Sequence, residues 1–149
     1  MKSLYLSADK KISSQSLFEF DQEAYPQSHW RVNDFESELS YGHLLCAIDE
    51  AQNLGGILLF RVMEDSSDLM HLSVLAKRQG WGQKLMKFYF EQLKSHYPRV
   101  ERVMLEVKVN NLAAMSLYTS MGFCKLQERQ GYYPDGKSAF VLEKWLTKR

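Results

Sequence analysis

The run Lys77-Arg78-Gln79-Gly80-Trp81-Gly82-Gln83-Lys84 carries the clearest chemistry in this chain. Two glycines one residue apart stand where a short apolar strand-like segment, residues 69–74, gives way to an amphipathic stretch. A loop that becomes a helix there offers unpaired backbone N–H groups at the positive end of a helix dipole, which suits a phosphate or pyrophosphate. Glycine lets a ligand approach the backbone closely. A strand-to-helix turn also uses glycine for packing alone, so both readings stand on this segment by itself.

Two phosphate loops are excluded. Gly82 is followed by Gln83-Lys84-Leu85, which does not complete G-x-x-x-x-G-K-[ST], and Leu85 occupies the third glycine position of G-x-G-x-x-G. The remaining candidate is a pyrophosphate-bearing ligand such as coenzyme A.

These residues need elements to position them. Residues 12–25, with Ile12, Leu17, Phe18 and Phe20, read as a first helix ended by Ala24-Tyr25-Pro26-Gln27, and a second helical piece runs to about Leu39. Residues 43–48, 55–63 and 68–75 read as three antiparallel strands, separated by turn chemistry at 49–53 and 64–67. After the glycines, Trp81, Leu85, Tyr89 and Leu93 recur every four residues until Pro98. Residues 100–107 alternate, with Val103, Leu105 and Val107 on one face and Arg102, Met104 and Glu106 on the other. Asn110 or Asn111 caps a helix to Met121, with Gly122 at its left-handed exit. Residues 123–129 and 138–145 close the order ααβββαβαββ, an α/β mixed sheet with helices on both faces.

Composition bounds the function. The 149 residues are 45% hydrophobic and 13% aromatic, which describes a globular chain read as one domain over 1–149. A net charge of +1 gives no reason to propose nucleic acid or an anionic membrane. No apolar run approaches the roughly 20 residues of a membrane span. The first residues turn polar before a signal-peptide core forms, so a cytoplasmic location is expected. Cys46 and Cys124 match no metal spacing and read as two reduced, half-buried thiols. They have no paired His/Asp pattern for covalent catalysis, and no metal is expected.

The order, with Lys-Arg-Gln-Gly-Trp-Gly after the third or fourth strand, resembles the GNAT superfamily of acetyl-CoA-dependent N-acetyltransferases. Leu105-Glu106-Val107, Asn110-Asn111-Leu112-Ala113-Ala114, Leu117-Tyr118 and Met121-Gly122-Phe123 resemble the C-terminal half of that fold. Arg129-Gln130-Gly131-Tyr132-Tyr133-Pro134-Asp135-Gly136, and more loosely Ala24-Tyr25-Pro26, are similar to bacterial enzymes that acetylate the N-terminal alanine of a small-subunit ribosomal protein. The similarity is concentrated in residues 69–145. Three departures stand out. Lys77 replaces the usual Gln or Arg, and Ser138 replaces an acidic residue. The 74–80 loop is about two residues short, which leaves the alignment of Leu72-Ser73-Val74 open by two positions.

The resemblance implies roles. Leu72, Ser73 and Val74 flank the pantetheine arm and supply an oxyanion donor, while Lys77, Arg78, Gln79, Gly80, Trp81, Gly82 and Gln83 hold the pyrophosphate. Asn111 bonds the arm. Glu106 is the candidate general base and Tyr118 the candidate general acid, which also contacts the cofactor. Tyr25, Tyr132 and Tyr133 line the acceptor slot. From the residues alone, Glu106 reads as an ion-paired carboxylate, Tyr118 and Trp81 as helix core, and Tyr132-Tyr133 as turn packing. His71 reads as a satisfied core histidine, with a base as the lesser alternative. Arg78 and Lys84 are solvated or meet phosphates. The preferred acceptor is a ribosomal protein N-terminus, the enzyme being a monomer or weak dimer. A small amine acceptor, or a CoA-binding module without turnover, are the competing readings.

Overall fold

Alternating and continuous apolar runs assemble into one seven-stranded sheet in the computed structural model, which describes residues 4–75 and 79–146. The elements are β1 (Leu4–Ser7), α1 (Ser14–Ala24), α2 (Val32–Tyr41), β2 (His43–Asp49), β3 (Leu54–Met63), β4 (Ser66–Val74), α3 (Trp81–His96), β5 (Arg102–Lys108), α4 (Leu112–Ser120), β6 (Cys124–Arg129) and β7 (Ala139–Trp145). The strand order is β1-β2-β3-β4-β5-β7-β6, and every neighbouring pair is antiparallel except β4–β5.

The expected α/β mixed sheet is present, with two corrections. The sequence reading has no strand before the first helix, yet β1 adds to the edge of β2, pairing Leu4 with Asp49 and Ser7 with Cys46. Four residues are too short a run to show a strand period; β1 pairs with the edge that β2 offers. The 64–67 turn is also shorter than expected: Glu64, at φ 53°, turns the chain, and Ser66 and Ser67 already belong to β4.

Side-chain periodicity sorts the two faces. Leu17, Phe20 and Phe35 of α1 and α2 pack on Cys46, Ile48, Ile57 and Leu59. On the other face Leu85, Met86, Tyr89 and Leu93 of α3 meet Leu45, Leu58, Phe60, Val103, Leu105 and Val107, joined by Tyr118 of α4. Each such side chain, fully buried, stabilises by about 1.5–3 kcal/mol. Cys46 is fully buried and Cys124 is exposed, which corrects the expectation of two half-buried thiols. Cys46 sits mid-sheet, whereas Cys124 opens an edge strand that is exposed throughout.

Two sets of interior polar contacts tie elements together. Arg61 forks onto the buried Glu38 at 2.9 and 2.6 Å, fixing α2 to β3. Ser67 Oγ donates to the Arg61 carbonyl at 2.7 Å, so the Tyr89 hydroxyl, 2.6 Å away, donates to Ser67. Among the described residues, no helix is long and apolar enough to cross a membrane.

Candidate active site

The parallel β4–β5 ladder runs only from Ser66↔Arg102 to Leu69↔Leu105. At that point the β3–β4 register shifts between Leu59 and Phe60, so that Leu59 faces His71 while Phe60 faces Leu69. Met70 is the extra residue. A bulge bends and twists its strand, and here it turns β4 away from β5. The result is an opening through the sheet that joins its two faces.

The open edge of β4 follows from alternation. Leu75 N–H donates to the Gly55 carbonyl at 2.9 Å, on the β3 side. Backbone groups alternate sides along a strand, so Ser73 also points to β3, while those of Leu72 and Val74 point to the open side. A cleft of about 220 Å³ lies along this edge, lined by Leu72, Ser73, Val74, Gly80, Trp81, Gly82, Asn111 and Tyr118 among others. Ser73 Oγ is buried there without a hydrogen-bond partner.

The cleft ends on the start of α3. Gly80 caps the helix at φ 77°, a conformation that glycine takes without strain. The first intrahelical bond is Lys84 N–H to Gly80 O at 3.0 Å, so the N–H groups of Trp81, Gly82 and Gln83 have no helical acceptor. Gly82 serves packing: a Cβ there would lie 3.2 Å from Leu117 Cδ2 of α4. Gly80 thus shapes the helix start and Gly82 its packing against α4. The Trp81 ring packs against the core with Lys84 Nζ 4.3 Å from its centroid, so Trp81 faces the cleft as helix core. Gln79 lies in the turn before the helix, and Lys77 and Arg78 lie outside the described residues. An extended thiol ligand with a pyrophosphate end fits this edge-plus-helix-terminus cleft.

A second cavity of about 450 Å³ opens on the α1/α2 side. It shares Tyr25, Leu72, Asn111, Ala114 and Tyr118 with the cleft, so the two meet at the opening. Tyr118 stands at the junction, nearly buried, its ring against Phe123 at 5.8 Å. Burial pushes its hydroxyl well above the ordinary tyrosine value, which keeps its proton on. Asn111 accepts from Ala114 N–H at 3.1 Å, and its amide donates to Tyr25 Oη at 3.4 Å. Its carbonyl is thus taken by the α4 cap, and of the two asparagines 111 is the one that caps.

Glu106 lines the second cavity, on the opposite face of β5 from Val103, Leu105 and Val107. Arg129 of β6 reaches it at 3.1 Å. Tyr132 is hydrogen-bonded to it, which, before burial, raises the Tyr132 hydroxyl above its usual value. Burial first, then the Glu106 charge, raises Tyr133. Tyr133 packs on His29 at 5.1 Å and on Tyr132 at 5.1 Å, and its N–H donates to Lys137 O at 3.0 Å, closing the turn. Lys108 pairs with Asp135 at 2.7 Å, which holds the same turn against β5. Burial, then Lys108, lowers His29, leaving it neutral at pH 7. Glu106, Tyr118, Tyr25, Tyr132 and Tyr133 are thus gathered around one cavity.

His71 is satisfied as expected: Nε2 lies 2.7 Å from Oδ1 of the fully buried Asp21, and the ring packs, tilted, on Trp30 at 4.4 Å. It nevertheless lines the cavity. Sequence reasoning missed Arg129 as the partner of Glu106, and His29 as a wall residue. Neither has a local signal, since β6 and the α1–α2 connection reach Glu106 only through sheet order.

The model of the acetyltransferase (GNAT) family matches residues 10–123. The [ribosomal protein bS18]-alanine N-acetyltransferase of Escherichia coli K12 is 27% identical over 117 residues, covering 76% of this chain and 78% of that protein. Its Haemophilus ducreyi counterpart is 28% identical over 136 residues, covering 87% and 92%. Among solved structures, the ribosomal-protein-S18-alanine N-acetyltransferase from Escherichia coli superposes with a TM-score of 0.85 at 23% identity, covering 98% of this chain and 96% of that one. A GNAT family acetyltransferase from Elizabethkingia anophelis with acetyl-CoA bound superposes with a TM-score of 0.78 at 14% identity, covering 97% and 99%.

Proposed function

The chain belongs to the acetyltransferase (GNAT) family and is an acetyl-CoA-dependent N-acetyltransferase; from that premise we propose that its acceptor is a protein N-terminus, the N-terminal alanine of a small-subunit ribosomal protein. The observation that carries this reading is the opening between β4 and β5, with Tyr118 at the cleft junction and Glu106 in the cavity behind it. The names of the E. coli and H. ducreyi relatives support the acceptor. A cytoplasmic location belongs to the same proposal, because that is where such an acceptor is made.

Acetyl-CoA supplies an activated acyl carbon whose carbonyl needs a hydrogen-bond donor and whose sulfur needs a proton on leaving. The N–H groups of Trp81, Gly82 and Gln83 hold the pyrophosphate, joined by Gln79, Lys77 and Arg78. The open N–H and C=O groups of Leu72 and Val74 hold the pantetheine arm, and an N–H of that edge serves as the oxyanion donor. Glu106 takes a proton from the acceptor ammonium, directly or through one water. An α-amine has a pKa of about 7.7–8.0, so little basicity is required. Tyr118, kept protonated by burial, gives its proton to the departing sulfur. Tyr25, Tyr132 and Tyr133 flank the acceptor chain, where rings pack and hydroxyls bond to peptide groups.

The test incubates the protein with acetyl-CoA and a short alanine-initiated peptide of the ribosomal type, beside a panel of polyamines, amino acids and aminoglycosides. Peptide mass and CoA-thiol release are read together. Acetylation confined to the peptide N-terminus is the expected result. Turnover of a small amine alone overturns the acceptor.

A further inference from the structure

Asp68 of β4 takes no part in the mechanism above, yet it lines the same cavity as Glu106. It sits level with Met104 in the parallel ladder, on the face that Glu106 also occupies. Strand spacings of about 4.8 Å across and 6.6 Å along put the two Cα atoms about 8 Å apart, at the lip of the opening.

Charge counting around the cavity singles Asp68 out. Arg61 on β3 is forked onto Glu38 of α2. Arg102 on β5 is held by Glu143 of β7 at 3.3 Å. His71 pairs with Asp21 of α1, Lys108 pairs with Asp135, and His29 is neutral. Arg129 belongs to Glu106. Among the described residues, every cation facing the cavity is matched with another carboxylate, and Asp68 is left over. Burial first, then the Glu106 charge, raises its carboxyl above the ordinary range; Arg61 and Arg102 oppose this and Glu38 adds to it.

We propose that Asp68 supplies the unmatched negative charge of the acceptor slot, receiving the acceptor ammonium beside Glu106 and sharing with Glu106 the proton that the ammonium gives up. This rests on the N-acetyltransferase reading and extends it by one residue. An ammonium beside Glu106 and Arg129 alone would leave the slot with one net positive charge. With Asp68 the sum is zero, and the slot favours the charged acceptor over neutral nucleophiles. Glu106 already accepts from Arg129 and Tyr132, so a second carboxylate gives the ammonium a further acceptor for its three N–H groups. The first proton passes to the carboxylate pair and leaves through the open mouth of the slot. The second N–H proton, lost as the N–C bond forms and the C–S bond breaks, replaces the one that Tyr118 gives to sulfur. One proton is released overall.

The test is Asp68→Asn, assayed for kcat across pH with whichever amine the wild-type enzyme acetylates. A fall of roughly 10–100-fold at neutral pH is expected, with the KM for acetyl-CoA unchanged and the acid limb of kcat moved to lower pH. Asp68→Glu, which keeps the charge, should keep that limb. Carboxyl ¹³C titration of the unliganded protein supplies a readout free of any acceptor: the Asp68 midpoint should fall in Glu106→Gln. A purely structural role for Asp68 would change melting but leave the acid limb in place, and that result overturns the proposal; so does an Asp68 midpoint that does not move in Glu106→Gln. Failure of the wild type to acetylate a protein N-terminus would sink the acceptor assignment instead, since the titration and a small-amine assay still judge Asp68. Should Asp68→Asn not fold, Asp68→Ser, assayed for the same acid limb, takes its place.

Discussion

Replacing His71 with alanine should destabilise this protein far more than an average point mutation, for a reason visible in one contact. Asp21 is fully buried; its Oδ1 has His71 Nε2 at 2.7 Å, and its Oδ2 has no hydrogen-bond partner. His71→Ala therefore strands a carboxylate with neither oxygen satisfied. Breaking a buried pair of this kind by removing one partner costs about 3–5 kcal/mol, because the polar group left behind is unsatisfied. The lost packing on Trp30 and Phe35 adds to this. For a chain of this size, at about 2–4 °C per kcal/mol, the melting temperature should fall by about 6–20 °C. Asp21→Asn keeps a polar partner for the imidazole without the charge and should cost about 1–2 kcal/mol. The double variant Asp21→Leu/His71→Phe should regain most of the loss, since apolar replacement of a buried pair is often neutral. Urea unfolding of the four proteins measures each of these changes. A His71→Ala variant within 1 kcal/mol of wild type, or one less damaged than Asp21→Asn, would refute the claim that this pair ties α1 to β4.

Tyr118→Phe should lower kcat by about 100-fold or more while shifting melting little, because it deletes one hydroxyl at the cleft junction and leaves the ring on Phe123; normal turnover removes the acid assignment. Gly80→Ala meets no atom within 4 Å but must hold φ 77°, so strain of about 1–2 kcal/mol should appear as lower stability and weaker acetyl-CoA binding by calorimetry. In a thiol titration of the native protein, Cys124 should react quickly with Ellman's reagent and Cys46 should not, since Cys46 is fully buried and burial pushes its thiol up to about 12. Two fast thiols would contradict the placement of Cys46 in the sheet.

Much of the architecture was legible because it is written in local periodicity. The four-residue recurrence of Trp81, Leu85, Tyr89 and Leu93 is α3, and the alternation about Val103, Leu105 and Val107 is β5, with Glu106 on the face stated. Asn111 and Gly122 act as cap and exit because their chemistry is specific to those places. β1 was illegible, since an edge strand of four residues is created by its neighbour rather than by its own pattern.

The sequence by itself determined the local features that the cleft and the cavity are built from. A glycine turn, a helix start, a carboxylate on a strand and a tyrosine one turn or two into a helix are local features, decided over a few residues. Tertiary structure alone decided that they converge. The Met70 bulge ends the β4–β5 ladder and opens the sheet, joining the Tyr118 side to the Glu106 side. The partners of Glu106, Arg129 and Tyr132, come from residues brought next to β5 by the order β5-β7-β6, and Asp68 comes from β4 on the other flank. Which charges are matched and which one is left over depends on distances across the sheet. A one-dimensional pattern holds no record of those distances.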